Sequence, residues 1–313
     1  MKLAKLAALV LLAAAPSFAA EFPEKPIRFV TPYPPGGATS LHAAIITTVA
    51  EPFFGQPMIS IIRGGGGGVV GTTEVARAPA DGYTLLFGDP TINSLRPQVE
   101  SLPFKVDDFV PVARINYSPI IFVTLPSASF SDIKGLIAYA RANPGKLAYS
   151  SDNVNGLTYV GFEMLKYYSK TTMKGVEFGG GGPAMTALLG GNTQAYAGLP
   201  AVVGDHITAG SVKALCVTDS TRLQRFKDVP TCAEAGAPVQ WLFWLGVLAP
   251  KGTPQDRVEK LSDGFAKLVK DPGFLALVGR INSSIQFLDH KAFAQELAKE
   301  RGELKQLYDT LKK

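Results

Sequence analysis

The segment IRFVTPYPPGGATS, Ile27 to Ser40, decides the fold. Ile27–Thr31 alternates β-branched and aromatic residues and reads as a strand. Three prolines and two glycines stop it. Leu41, Ala44, Ile45, Thr48 and Val49 then recur at helical spacing, and Gly55 and Pro57 end that helix. A strand running through a glycine turn into a helix is the unit of an α/β sheet. At such a turn the ligand sits beyond the carboxyl end of the strand. Glycine lets backbone amides approach it without an intervening Cβ.

Outward from this unit the pattern repeats. Met58–Ile62 and Tyr83–Phe87 read as strands, with a short helix at Thr72–Ala78 between them. Further strands fall at Ile120–Leu125, Leu147–Ser150, Ala195–Ala197 and Ala214–Thr218. Helices are expected at Asp132–Asn143, with Ser131 as N-cap, and at Leu157–Tyr168 and Pro183–Leu189. Thr253-Pro254 reads as a cap followed by a first-turn proline, opening an amphipathic helix through Val258, Leu261, Phe265 and Leu268. A last helix spans Lys291–Lys312. Strands alternating with helices argue parallel α/β sheets, and two such sets argue two domains. The expected division is 20–122 with 245–313, and 123–244. The strandless C-terminal helices must pack on the first sheet.

The amino terminus has the character of an export signal. Lys2 and Lys5 precede ten apolar residues, Leu6–Ala15, and Ser17 and Ala19 occupy small-residue cleavage positions. Ten apolar residues are too few to span a bilayer, so residues 1–19 are expected to be removed and the mature chain to be exported and soluble. The formal charge is +5, of which Lys2 and Lys5 supply two, leaving +3. Without a basic stripe this excludes nucleic acid as a natural partner. Cys216 and Cys232 lie 16 apart. Either they pair, as an exported protein permits, or they stay as two buried thiols.

Three glycine turns follow strands: Pro34–Ala38, Gly64–Gly68 and Gly179–Gly182. A helix start behind each turn offers unpaired N–H donors and partial positive charge, so the expected guest is a carboxylate or phosphate. Gly66-Gly67-Gly68-Val69-Val70-Gly71 satisfies G-x-G-x-x-G, with Asp89 at the spacing of a ribose-binding acid. The run follows the second strand rather than the first, and an exported protein has little NAD available, so no nucleotide cofactor is expected. No zinc spacing, nucleophile elbow or Walker motif occurs, and no metal site is expected. His42, His206 and His290 are isolated, and His42 reads as a partly exposed helical residue that could touch a ligand. Trp241 and Trp244 flank a crossover and read as packing residues.

Seven blocks carry a resemblance. They are KPIRFVTPYPPGGATS, GQPMISIIRGGGGGVVGTTEVARAPADGYTLLFG, DDFVPVARI, ANPGKLAYSS, ALLGGNTQAYAGLPA, DVPTCAEAG and APKGTP, in that order. With them the chain resembles the Bug family, the substrate-binding receptors of tripartite tricarboxylate transporters. The resemblance implies a type II periplasmic-binding-protein fold, two α/β domains around a ligand cleft with two crossovers. It implies a monomer that captures a carboxylate through backbone amides and delivers it to membrane transporter subunits. The family's ligand positions fall on Tyr33, Gly36, Gly37, Ala38, Thr39 and Ser40, on Gly88 and Asp89, and on Ser151 and Thr158. Facing them are Phe178, Gly179, Gly180, Gly181 and Gly182, and then Ala197.

Departures from the family pattern narrow the ligand. Ser40 and Ala197 stand where the family has Asp, although Ser40 can still cap its helix. Phe178-Gly179 replaces a bulky polar pair, Asp89 a serine or threonine, and Tyr159 a histidine. The pocket is therefore expected to be less acidic, roomier and more apolar, suited to a dicarboxylate, aromatic or aliphatic. The alternatives are a periplasmic sensor or adaptor for a membrane signalling protein, and a secreted enzyme using His42 or Ser151. No base stands beside a nucleophile to favour the enzyme.

Overall fold

The computed structural model describes residues 22–283 and 285–311. The expected signal segment 1–19 lies outside them. The first part of the chain runs β1 (Ile27–Thr31), α1 (Ala38–Val49), α2 (Glu51–Phe54), β2 (Met58–Ile62), α3 (Val69–Ala76), β3 (Thr84–Gly88), α4 (Arg96–Val99) and β4 (Phe109–Pro119). The middle part runs β5 (Ile121–Thr124), α5 (Ile133–Ala142), β6 (Ala148–Ser151), α6 (Leu157–Ser169), β7 (Lys174–Glu177), α7 (Gly181–Leu189), β8 (Ala195–Gly198), α8 (Pro200–Thr208) and β9 (Lys213–Val217). The last part is β10 (Leu242–Pro250), α9 (Gln255–Leu268), α10 (Pro272–Arg280) and α11 (His290–Leu311).

Two five-stranded sheets result. The first has the order β2-β1-β3-β10-β4 and the second β7-β6-β8-β5-β9. The chain passes between them at Pro119–Ile121 and again between Val217 and Leu242. The sheets are mixed, which corrects the all-parallel expectation. β10 runs antiparallel to both β3 and β4, and β5 antiparallel to both β8 and β9. Both exceptions are the strands by which the chain enters a sheet from the other one. β1 and β3 are almost wholly buried, whereas β2, at the edge, exposes Ile59 and Ile62.

Helix starts follow local chemistry that differs in detail from the sequence reading. The cap of α5 is Asp132, not Ser131: its carboxylate accepts from the Gly135 N–H at 2.7 Å. Pro254 is the cap residue of α9, and Thr253 turns its hydroxyl back to the Pro250 carbonyl. Ser40 lies inside α1 and donates to the Gly37 carbonyl at 2.8 Å, so it does not cap that helix. Val258, Leu261, Phe265 and Leu268 are buried, and α9 and α11 pack on the first sheet at β4 as expected. Phe265 meets Phe54 edge-on at 4.8 Å between ring centres.

Two further features tie distant segments. Cys216 of β9 and Cys232 form a disulfide and are fully buried. Trp244 of β10 packs edge-on against Phe293 and donates its indole N–H to Glu300 of α11 at 2.6 Å. Burial of the Glu300 carboxyl is the main cause that pushes its pKa up to about 7. Between the ordinary carboxylate range and pH 7 the folded chain therefore holds a proton that the unfolded chain has released. Stability falls as pH rises through that window.

Two outcomes are expected. Replacing both cysteines by alanine should cost about 3 kcal/mol, the chain-entropy value for a loop of this size, read as a lower melting temperature without reductant. Glu300→Gln should change melting little at pH 5 and raise it relative to wild type at pH 8. A constant difference across that range would contradict the burial of a neutral carboxyl.

Candidate functional site

Between the sheets lies a partly open cavity of about 40 Å³, room for about three water molecules. From the segments carrying the first sheet it is lined by Tyr33, Gly37, Ala38, Thr39, Asp89 and Phe243. From those carrying the second it is lined by Asp152, Leu157, Gly180, Gly181, Tyr196, Leu199 and Val202.

Two helix starts converge on it. α1 begins at Ala38 behind the extended Gly37, and its first bonded amide beyond the turn is Leu41, which donates to Gly37. The N–H groups of Ala38, Thr39 and Ser40 have no protein acceptor among the described residues. α7 begins at Gly181 behind Gly180, whose φ of 162° is extended backbone, and its first bonded amide is Ala184. The N–H groups of Gly181 and Gly182 are likewise without an acceptor. A methyl group built on Gly37 would stand 3.7 Å from the Gly182 nitrogen and 3.9 Å from that of Gly181. Each helix end carries about half a positive charge. Across the cleft these charges face each other, and what relieves them is an anion.

Two other helix starts, that of the helical turn Thr91–Leu95 after β3 and that of α6 after β6, are already answered by the chain's own carboxylates. Asp152 accepts from the N–H groups of Leu157 (2.9 Å) and Thr158 (3.1 Å) and so caps α6. Asp89 Oδ1 accepts from the amides of Thr91 (2.8 Å) and Ile92 (3.2 Å) and from the Thr91 hydroxyl (2.5 Å). Asp89 Oδ2 lacks a hydrogen bond of good geometry, and the Tyr33 hydroxyl lies alongside. Burial, more than any other cause, raises both carboxyls: Asp152 to about 6, and Asp89 above its usual range against the pull of its hydrogen bonds. The Tyr33 phenol is pushed well above its ordinary value, first by burial and then by Asp89. The loss of acidity expected from Ser40 and Ala197 is thus offset by Asp89 and Asp152, and the walls are otherwise apolar.

The structure brings together Tyr33, Gly37, Ala38, Thr39, Asp89, Gly180 and Gly181 of the residues expected from the sequence. Gly36, Phe178 and Gly182 line an open groove on the outer side of the glycine contact. Gly179 is a turn residue with φ +74°. Ser40, Gly88, Ser151, Thr158 and Ala197 do not line the cavity. The Ser151 hydroxyl donates to the Asn153 carbonyl, and that of Thr158 to the Ala197 carbonyl. The space beside Gly88 is filled by Asn93. Sequence reasoning missed Asp152, Leu157, Tyr196, Leu199, Val202 and Phe243. Only Asp152 had a visible signal, an acid just before a helix.

Two other expectations change. His42 is buried, not partly exposed. Its Nδ1–H donates to the Ala38 carbonyl at 2.8 Å, so Nε2 accepts from the Ser283 hydroxyl at 2.8 Å. Burial lowers its pKa to about 4, which keeps the ring neutral. The Gly64–Gly68 run lies away from the cavity: Arg96 donates to the Gly67 carbonyl at 2.8 Å and to that of Gly66 at 3.2 Å. None of Gly64–Gly68 lines the cavity.

Residues 44–308 match the profile of the tripartite tricarboxylate transporter family receptor. The chain belongs to that family. Protein BugT of Bordetella pertussis is 34% identical to this receptor over 282 residues, covering 87% of this chain and 80% of BugT. A solved periplasmic transporter structure superposes with a TM-score of 0.87 at 32% identity, covering 92% of this chain and 97% of the other. MatC from Rhodopseudomonas palustris with bound malate superposes at 0.85 with 26% identity, covering 91% and 99%. The receptor therefore has the two-lobed periplasmic-binding fold. Among the described residues no helix is long and apolar enough to cross a membrane, and no group of three or more metal-ligating side chains occurs.

The glycine contact makes a direct prediction. A Cβ on Gly182 would lie 2.7 Å from the Pro35 carbonyl oxygen and 2.9 Å from the Gly36 carbonyl carbon. Gly182 has no left-handed backbone, so alanine costs nothing locally. Gly182→Ala should keep its melting temperature within a few degrees yet expand the molecule in small-angle scattering. An unchanged radius of gyration would show that the contact does not hold the sheets together.

Proposed function

We propose that this receptor captures a small organic dicarboxylate in the periplasm and presents it, enclosed, to the membrane subunits of a tripartite tricarboxylate-type transporter. The observation that carries the reading is the pair of acceptorless helix starts, α1 and α7, facing one cavity from opposite sheets. One carboxylate would take the amides of Ala38 and Thr39, and the other end would take that of Gly181. The malate bound in MatC supports a ligand of this class.

Two rigid lobes, residues 22–119 with 242–311 and residues 121–217 with the return segment to 241, would part to admit the ligand. These limits leave β5 and β10 whole, whereas cuts after Phe122 and Trp244 would divide them. Such parting is hinge motion of the kind common to such folds. Capture without reaction fits the engaged state of the two candidate active groups. His42 is neutral and held by Ala38 and Ser283, and Ser151 is held by Asn153. Export through the leader places the receptor in the periplasm, and a monomer suffices for the cycle.

A thermal-shift panel of mono- and dicarboxylates, sugars and amines tests the reading. A dicarboxylate at about 100 times its Kd should stabilise the fold by ~2.7 kcal/mol. Shifts with sugars or amines and none with any carboxylate would overturn it. Asp152 adds a pH signature. Its charge opposes an anion in the same cavity and disappears as pH falls toward about 6. Affinity for a fully ionised dicarboxylate should therefore rise from pH 8 to pH 6, by titration calorimetry, and Asp152→Asn should flatten the rise.

A further inference from the structure

We propose that Arg96, Glu100 and Asn155 form a clasp outside the cavity that sets how tightly the ligand is held. The inference rests on the receptor reading above. Arg96 opens α4 and is buried. Its Nε and Nη2 each donate to a different oxygen of Glu100, both at 2.9 Å. Its Nη1 holds the carbonyls of Gly66 and Gly67. All of these belong to the segments carrying the first sheet. From the other side, Asn155 Nδ2 donates to Glu100 Oε1 at 2.6 Å. Asn153 reaches so close to the glycine run that a Cβ on Gly67 would meet its Oδ1 at 2.0 Å.

Each part has a reason to be what it is. Gly67 has φ +61° and no room for a side chain, so only glycine allows Asn153 to approach there. Asn155 has φ +54°, a conformation that asparagine tolerates better than most residues. Arg96 fixes both the glycine loop and the Glu100 carboxylate, so the acceptor for Asn155 is charged and preoriented. Charge-assisted bonds of this kind are about twice as strong as neutral ones.

None of the three clasp side chains lines the cavity. The clasp grips residues 153–155, which follow directly on Asp152 in the cavity wall and lead into α6. The Asn155–Glu100 bond exists only while the sheets are together, so it favours the closed state and not the open one. Apparent affinity scales with the closed fraction. Arg96, Glu100 and Asn155 are therefore positioning residues that act on affinity without touching ligand.

The test is a double-mutant cycle with Asn155→Gly, which keeps the backbone conformation, and Glu100→Ala, each alone and together. The readouts are radius of gyration without ligand and malate Kd and koff by surface plasmon resonance. Each single variant should expand the free protein and raise Kd about tenfold, mostly through koff, and the double variant should be no weaker than the worse single one. Unchanged Kd and unchanged size in Asn155→Gly would overturn the clasp, as would fully additive effects. Should wild type bind neither malate nor a longer dicarboxylate, the receptor reading fails, while the size measurement still decides the clasp. If Glu100→Ala does not fold, Asn155→Gly decides alone.

Discussion

The structure depends on two stretches of bare backbone meeting across a cleft. Gly36 and Gly37 lie against Gly181 and Gly182 so closely that any side chain on Gly182 would strike the opposite main chain. This approach brings two helix starts face to face, an arrangement that is electrostatically unfavourable by itself. The chain answers the two neighbouring helix starts with its own Asp89 and Asp152. It leaves α1 and α7 for something else. The site is defined as much by where the protein supplies its own anion as by where it does not.

The buried carboxyls give the cavity a second character. Both are held by amides, which favours the charged form, and both are enclosed, which favours the neutral one. Enclosure wins at Asp152, whose pKa is raised to about 6. The same competition appears at Glu300, which receives the Trp244 indole N–H yet is pushed up to about 7. One of these groups lies in the cavity wall and the other beneath the strand that returns from the second sheet to the first.

Much of this was legible in the sequence where local chemistry is strong. β1, β2 and α9 fall where the sequence puts them, because short β-branched runs mark the strands and a 3.6-residue stripe marks the buried face of α9. Strands β4 and β10 were not read. β4 carries Pro111, Arg114 and Asn116, which mimic a loop, and β10 is an apolar run whose pairing depends on partners far away in the chain. β7 is a short, mostly exposed edge with no apolar signal. At the site, the glycine turns pointed to the right place, but which turn faces a ligand and which faces the other lobe is a tertiary matter. Gly64–Gly68 read as one of three possible cradles, and its Gly67 admits Asn153. Asp152 escaped notice beside Ser151 because its role as a cap depends on a helix that starts five residues later.

The placement of β10 bears on how the chain can acquire its shape. This strand lies between β3 and β4, so the first sheet has a gap until residues 242–250 arrive. Pairings that span so much sequence form slowly, because the intervening loop must be closed first. A polypeptide emerging from its amino end could thus complete its second sheet by residue 217 while the first still waited for β10.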